Sequence, residues 1–137
     1  MKIAVSSKGS SLDSTVDPRF GRTDGFALYD SDTGGITYLD NATNRDRSQG
    51  TGIRSAQLII DAGANSLITG KMGPKAARLL ERSNVNVYIC NKGTVQEAVQ
   101  SLEQNQLPEL SQDDVQPGPG KMGGRGIGGS GRGRGLA

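Results

Sequence analysis

The sequence predicts an α/β fold: one five-stranded mixed sheet covered by three helices. Three observations carry that expectation. Short apolar runs rich in Ile, Val and Leu recur along the 137 residues, helical periodicity begins only near Ile53, and from there helices and strands alternate. Alternation of this kind calls for parallel strands joined by right-handed crossovers.

The elements follow in order. Lys2-Ile3-Ala4-Val5-Ser6 reads as a buried strand and Gly25-Phe26-Ala27-Leu28-Tyr29-Asp30 as a second. Ser31-Asp32-Thr33-Gly34-Gly35 is a hairpin turn, because Asp and Gly accept the positive φ it needs, so Ile36 to Asp40 returns antiparallel. Ile53 to Ala62 is helical, with Ile53, Ala56, Gln57 and Ile60 expected on the buried face and Gly63 as the stop. Ser66 to Gly70 is a short buried strand. Pro74 opens the helix to Ser83, where a missing N–H does no harm, with Ala76, Ala77, Leu79 and Leu80 facing inward. Asn86 to Cys90 is the fifth strand. Thr94 and Glu97 form a capping box for a last helix with Val95, Ala98, Val99 and Leu102 on one face. The order β-β-β-α-β-α-β-α fits a sheet of spatial order 3-2-1-4-5 with only strand 2 reversed.

Composition narrows the chemistry. The chain is long enough for one domain with a real core. It has no histidine, so the commonest metal ligand and general base are missing, and its lone Cys90 rules out an internal disulfide or a cysteine-only metal site. The N-terminal apolar run is too short for a signal peptide and nothing approaches a membrane span, so a cytoplasmic, monomeric protein without a membrane partner is expected. Charge is uneven: residues 1–116 hold twelve bases and fourteen acids, whereas residues 117–137 hold Lys121, Arg125, Arg132 and Arg134 and no acid. Residues 1–110 are the expected domain. Residues 111–137, with ten glycines after Pro117, are expected to form a disordered tail, either solubilising or a basic flap over an anionic ligand.

In the proposed topology the C-terminal ends of strands 1, 3, 4 and 5 and the N-termini of all three helices share one edge, where ligands of open α/β sheets bind. Helix N-termini favour anions there. The loops at that edge carry Lys8, Arg19, Arg22, Arg45, Arg47, Arg54, Lys71, Lys75 and Lys92, against only Asp13, Asp17, Asp24 and Asp46. The loop from Ser7 to Asp24 is too long for a simple hairpin and holds Asp17-Pro18-Arg19-Phe20-Gly21-Arg22. If Phe20 is displayed, two arginines around an aromatic suit an anionic, partly apolar ligand; if Phe20 packs inside, the arginines are merely solvated. The residues alone do not decide between them. The anion reading requires Arg19, Arg45 and Lys71 to lie on one rim.

Four motifs in order over residues 1–108 resemble the dinitrogenase iron–molybdenum cofactor biosynthesis family. They are Arg19-Phe20-Gly21-Arg22 with the strand from Phe26, Gly52-Ile53 through Leu58, Ile68-Thr69-Gly70-Lys71-Met72-Gly73-Pro74, and Gly93-Thr94-Val95-Gln96-Glu97-Ala98. The resemblance implies a ribonuclease H-like fold and non-catalytic carriage of an anionic metal–sulfur cluster. That cluster would be an iron–molybdenum cofactor precursor or, as in small free-standing members, a non-covalently held molybdenum–copper sulfide. Other cofactor-handling proteins, or ATPases related to cell division, are the implied partners. Many relatives carry histidine before Phe-Gly-Arg and in the loop after strand 3, whereas this chain has Arg19 and Asn41 to Arg47 there. What remains is capture by cations and backbone N–H groups: Lys8, Arg19, Gly21, Arg22, Asn41, Arg45, Arg47, Gly70, Lys71, Gly73, Lys92, Gly93 and Thr94, with Phe20 and Met72 as apolar or soft contacts. Cys90 could add one thiolate, although free cysteines are more often small buried hydrophobes.

Two other function classes fit parts of the sequence less well. A nucleic-acid-binding module could use the Gly-Arg tail, although that tail has no aromatic to stack on bases. Ribonuclease H chemistry needs clustered carboxylates beginning on strand 1, and Lys2 to Ser6 has none. An enzyme using Ser6, Ser7 or Thr94 would need Lys8 or Lys71 as its base, and capping or turn bonding is the commoner use of such hydroxyls.

Overall fold

The computed structural model describes residues 1–42, 51–111 and 115. The expected tail, apart from Ser111 and Val115, and the loop bearing Arg45 and Arg47 lie outside the described residues. Strands β1 (Lys2–Ser7), β2 (Gly25–Asp30), β3 (Ile36–Asp40), β4 (Ser66–Thr69) and β5 (Asn86–Ile89) form one sheet of order β3-β2-β1-β4-β5. β2 runs antiparallel to both neighbours, while β1, β4 and β5 are parallel. The described helices are α1 (Thr51–Asp61), α2 (Pro74–Arg82) and α3 (Val95–Glu103). The topology and the strand that opposes the rest are those expected from the sequence.

Alternation along the strands sends side chains to two cores. Ala4, Phe26, Leu28 and Leu67 face α1 and α2, meeting Ala56, Ile59, Ala76 and Leu80. Ile3, Val5, Ala27 and Ile68 face α3, meeting Val95, Ala98, Val99 and Leu102. The inward face of α3 is the one its spacing predicts. That of α1 is not: Ser55, Ala56 and Ile59 are buried, Ile53 is 39% exposed, and exposed Gln57 donates to Asp61 within the helix. The helix is therefore turned by about one residue, near 100°, from the face expected. Ser55 takes the inward position because its hydroxyl donates to buried Asn41.

Gly63 ends α1 at φ +85°, as its place after the last periodic residue suggests. Beyond α3 the chain does not leave the domain. Ile89 N–H donates to Pro108 and Leu110 N–H to Val87, so this segment pairs with the outer edge of β5.

Candidate functional site

Because β1, β3, β4 and β5 point the same way, the loops that follow them meet at one end of the sheet. The long loop after β1 is the piece that joins the others. Its first turns pair with β1 and α3: Lys8 N–H donates to Thr15, Asp17 N–H to Ser6, and Val16 N–H to Gly93. Buried Ser6 Oγ bonds Asp17 O and Thr69 Oγ1, tying the loop to the ends of β1 and β4. Asn41 is wholly buried; its N–H donates to Asp24 O and its Nδ2 to Thr23 O, which joins the end of β3 to the same loop.

The next stretch forms a short parallel ladder with the turn after β4. Lys71 N–H donates to Pro18 O at 2.9 Å and Phe20 N–H to Lys71 O at 3.3 Å, pairing Arg19 with Lys71. Period-2 alternation then decides which side chains reach solvent. Arg19 and Lys71 are exposed, whereas their successors Phe20 and Met72 are 1% and 4% exposed. Phe20 packs against Phe26 at 5.5 Å between centroids in the core under α1 and α2. The open question about Phe20 is thus answered in favour of the core. Of the expected ligand contacts, Phe20, Met72 and Asn41 are all buried and engaged within the fold.

The ladder requires Gly70. A Cβ there would fall on Pro18 O and Cβ and lie 2.5 Å from Asn91 Oδ1, so only glycine lets the two loops approach. Gly70 is accordingly buried and spaces the backbone.

Arg19 is held by a residue that sequence reasoning treated only as one more rim acid. Asp17 is wholly buried, and its Oδ1 accepts from Arg19 N–H and Nε while Oδ2 accepts from Nη2, each at 3.0 Å. Asp-Pro is a turn-initiating pair, and this i to i+2 bond is the Asx turn it signals. Burial pushes the carboxyl up, but the hydrogen bonds and charge of Arg19, with the charge of Lys8, outweigh it and hold Asp17 below the usual range. The fork uses two of the five guanidinium N–H groups, and the side chain stays 62% exposed. Arg19 is therefore fixed with its other N–H groups on the outer side.

The helix N-termini are not equivalent. At α3 the capping box is complete, with Glu97 N–H donating to Thr94 Oγ1 and Thr94 N–H to Glu97 Oε1. Val95 N–H and Gln96 N–H donate to Ser14 and Leu12 of the long loop. Those donors are spent and the Glu97 carboxylate stands among them, so Thr94 is a cap and this end has fewer N–H groups to offer an anion; adjoining Gly93 makes the turn at φ +89°. Thr94, expected among the ligand contacts, thus has its side chain engaged in the cap. At α2, Gly73 is an N-cap without a side-chain bond and Pro74 has no N–H. Lys75 N–H and Ala76 N–H have no acceptor among the described residues. The open helix end therefore directly follows the Arg19–Lys71 ladder.

Of the other expected site residues, Lys8, Arg22 and Lys92 are exposed and Gly21 is half-buried. Arg45 and Arg47 lie outside the described residues. Half-buried Cys90 closes β5 with its N–H on Thr69 O and its Sγ 3.1 Å from Lys92 O. Among the described residues no cluster of three His, Cys, Asp or Glu side chains could hold a metal ion, and no helix is long and apolar enough to cross a membrane. What the site offers is a cationic pair and two helix N–H groups without an acceptor among the described residues, a donor set suited to a ready-made anion.

Known proteins resemble this chain in sequence and fold. The apo orange protein of Desulfovibrio gigas is 40% identical, with TM-score 0.77 over 80% of this chain and 92% of that one. A Thermotoga protein assigned as NifB is 33% identical, with TM-score 0.70 over the same shares. An uncharacterised protein of Methanocaldococcus jannaschii is 29% identical over 112 residues, 80% of this chain and 92% of the relative. The family model described as dinitrogenase iron–molybdenum cofactor matches residues 1–105. With that match spanning most of its length, the chain belongs to the dinitrogenase iron–molybdenum cofactor family.

Proposed function

We propose that this protein binds and carries a preassembled anionic metal–sulfide cluster, without catalysing a reaction on it. The reading places the cluster on Arg19, Lys71 and the open N-terminus of α2, with Lys8, Arg22 and Lys75 nearby. The observation that carries it is the Arg19–Lys71 ladder, which holds two cations side by side on the exposed face. Like charges opposite one another in a ladder are unfavourable unless an anion joins them. Asp17 neutralises part of one, leaving net positive charge beside free helix N–H groups. Membership of a cofactor family supports a metal-containing cargo. The chain matches 92% of the orange protein's length, which favours the small free-standing kind of member, for which the resemblance implies a molybdenum–copper sulfide. Histidine ligation is unavailable to this chain, so retention rests on ion pairing and hydrogen bonds.

Anaerobic incubation with tetrathiomolybdate, with and without copper(I), tests the reading. The expected result is a coloured protein that keeps molybdenum through desalting and shifts the amide signals of residues 18–22 and 70–76. Colour and metal lost on desalting, with those signals unmoved, would sink it. Generic RNA is the control for the nucleic-acid alternative, which predicts a salt-sensitive complex made by the tail.

A further inference from the structure

The turn that follows β5 also reaches the Arg19–Lys71 ladder. Because β4 stands between β1 and β5, the loop after β1 runs along one side of residues 70–71 and this turn along the other. The register pairs Thr69 with Ile89, and Cys90 N–H donates to Thr69 O at 2.9 Å, so the next residue, Asn91, arrives at Gly70. Its Oδ1 lies 2.5 Å from where a Cβ on Gly70 would stand. The notch left by that glycine is therefore shared between Pro18 and the Asn91 carboxamide. The turn is held on both sides of Asn91. Cys90 Sγ bonds Lys92 O at 3.1 Å, and Gly93 O accepts from Val16 N–H at 2.9 Å. Asn91 itself is exposed, and no hydrogen bond engages its carboxamide among the described residues.

We propose that Asn91 is a further contact of the carried anion, its N–H₂ group donating to a terminal atom of the cluster beside Arg19 and Lys71. This rests on the carrier reading above. A carboxamide brings two donors and no charge. That suits a place beside two like charges, where a third cation would add to their repulsion and a carboxylate would repel the ligand. With Oδ1 turned to Gly70, the N–H₂ lies on the other side of the carboxamide, without a partner to give up when a ligand arrives. The contact is directional where those of the exposed cations are chiefly Coulombic. It selects a polyatomic anion with accepting terminal atoms, which a metal sulfide has and an isolated metal cation lacks.

The experiment uses the full-length chain and tetrathiomolybdate as the probe, titrated without air and followed by its visible spectrum. Asn91→Ala should bind about tenfold more weakly, the worth of one hydrogen bond to a charged acceptor, with the urea midpoint of the parent. That loss should persist at about 0.5 M salt, because a neutral donor is not screened, whereas the loss from Lys71→Ala should shrink. Asn91→Asp, of the same shape, should bind more weakly still at low salt. The side-chain N–H₂ signals missing from the spectrum of Asn91→Ala identify those of Asn91 in the parent, and they should shift on loading. The inference is overturned if Asn91→Ala binds like the parent. It is overturned equally if the Asn91 N–H₂ signals stay still while the amides of residues 18–22 and 70–76 move, and the carrier reading then stands. A lowered urea midpoint in Asn91→Ala would assign the residue to the fold instead. If the parent does not bind the probe, both readings fall.

Discussion

Replacing Asp17 by Asn should destabilise the protein only while the wild-type carboxylate is ionised. The wholly buried carboxylate accepts three N–H bonds from Arg19, each at 3.0 Å. Asparagine keeps the volume and can accept two through Oδ1, but it turns an N–H₂ group toward Nη2. One charge-assisted bond is lost and two become neutral-acceptor bonds. Hydrogen bonds to charged groups are worth about 1.5–3 kcal/mol, against about 1 for neutral ones. Because the Arg19 side chain is 62% exposed, water replaces much of its share. The net cost should be about 1–2 kcal/mol, which moves a urea midpoint down by about 0.5–1 M. The folded-state pKa of Asp17 lies below the ordinary value of 3.8. Its stabilisation is therefore fully present above that value and is lost as pH falls through the depressed one. Urea denaturation by circular dichroism at pH 7 and again in the acid range below pH 3.8 checks this. Equal midpoints at pH 7, or a gap that persists unchanged after wild-type Asp17 is protonated, would refute the assignment of Asp17 as the ionised anchor of Arg19.

Phe20→Ala should cost about 3–5 kcal/mol in denaturation, as expected for a ring deleted from the α1–α2 core rather than from a binding surface. Gly70→Ala should cost about 2–4 kcal/mol by forcing Pro18 away and weakening both ladder bonds. Amide spectra should show the disturbance spreading to residues 18–20. Thr94→Ala should remove about 1 kcal/mol of stability through the lost cap while leaving thiomolybdate retention intact, a split that separates capping from ligand binding. Arg19→Ala with Lys71→Ala should release the cluster on desalting from protein that still folds, at a cost of about 1–2 kcal/mol in urea denaturation, because buried Asp17 loses two of its three N–H donors.

The elements and their order were readable because each signal was local. The capping box at Thr94 and Glu97, Pro74 at the start of α2 and Gly63 past the end of α1 stand where their backbone chemistry puts them. Crossover rules then ordered the sheet. The site was less legible. Loop residues have no period of their own, so Phe20 read equally well as ligand contact or core. Its burial follows from the pairing of residue 19 with residue 71, fifty-two positions away. The same long-range contact buries Met72. For α1, Ile53, Ala56 and Ile60 gave an acceptable stripe, but hydrogen bonding to Asn41 drew Ser55 inward and turned the helix.

Residue types by themselves determined the absence of imidazole ligation, the strand and helix menu, the one reversed strand and the accumulation of cations in the loops at one sheet edge. Only the folded chain decided which of those cations form a site. Backbone pairing between distant loops brought Arg19 beside Lys71, sent their apolar neighbours inward and set Val115 beside Met72. Capping closed α3 and left α2 open. The physical reason is that charge and helix propensity belong to single residues and their near neighbours, whereas exposure belongs to the pairing partner across the fold.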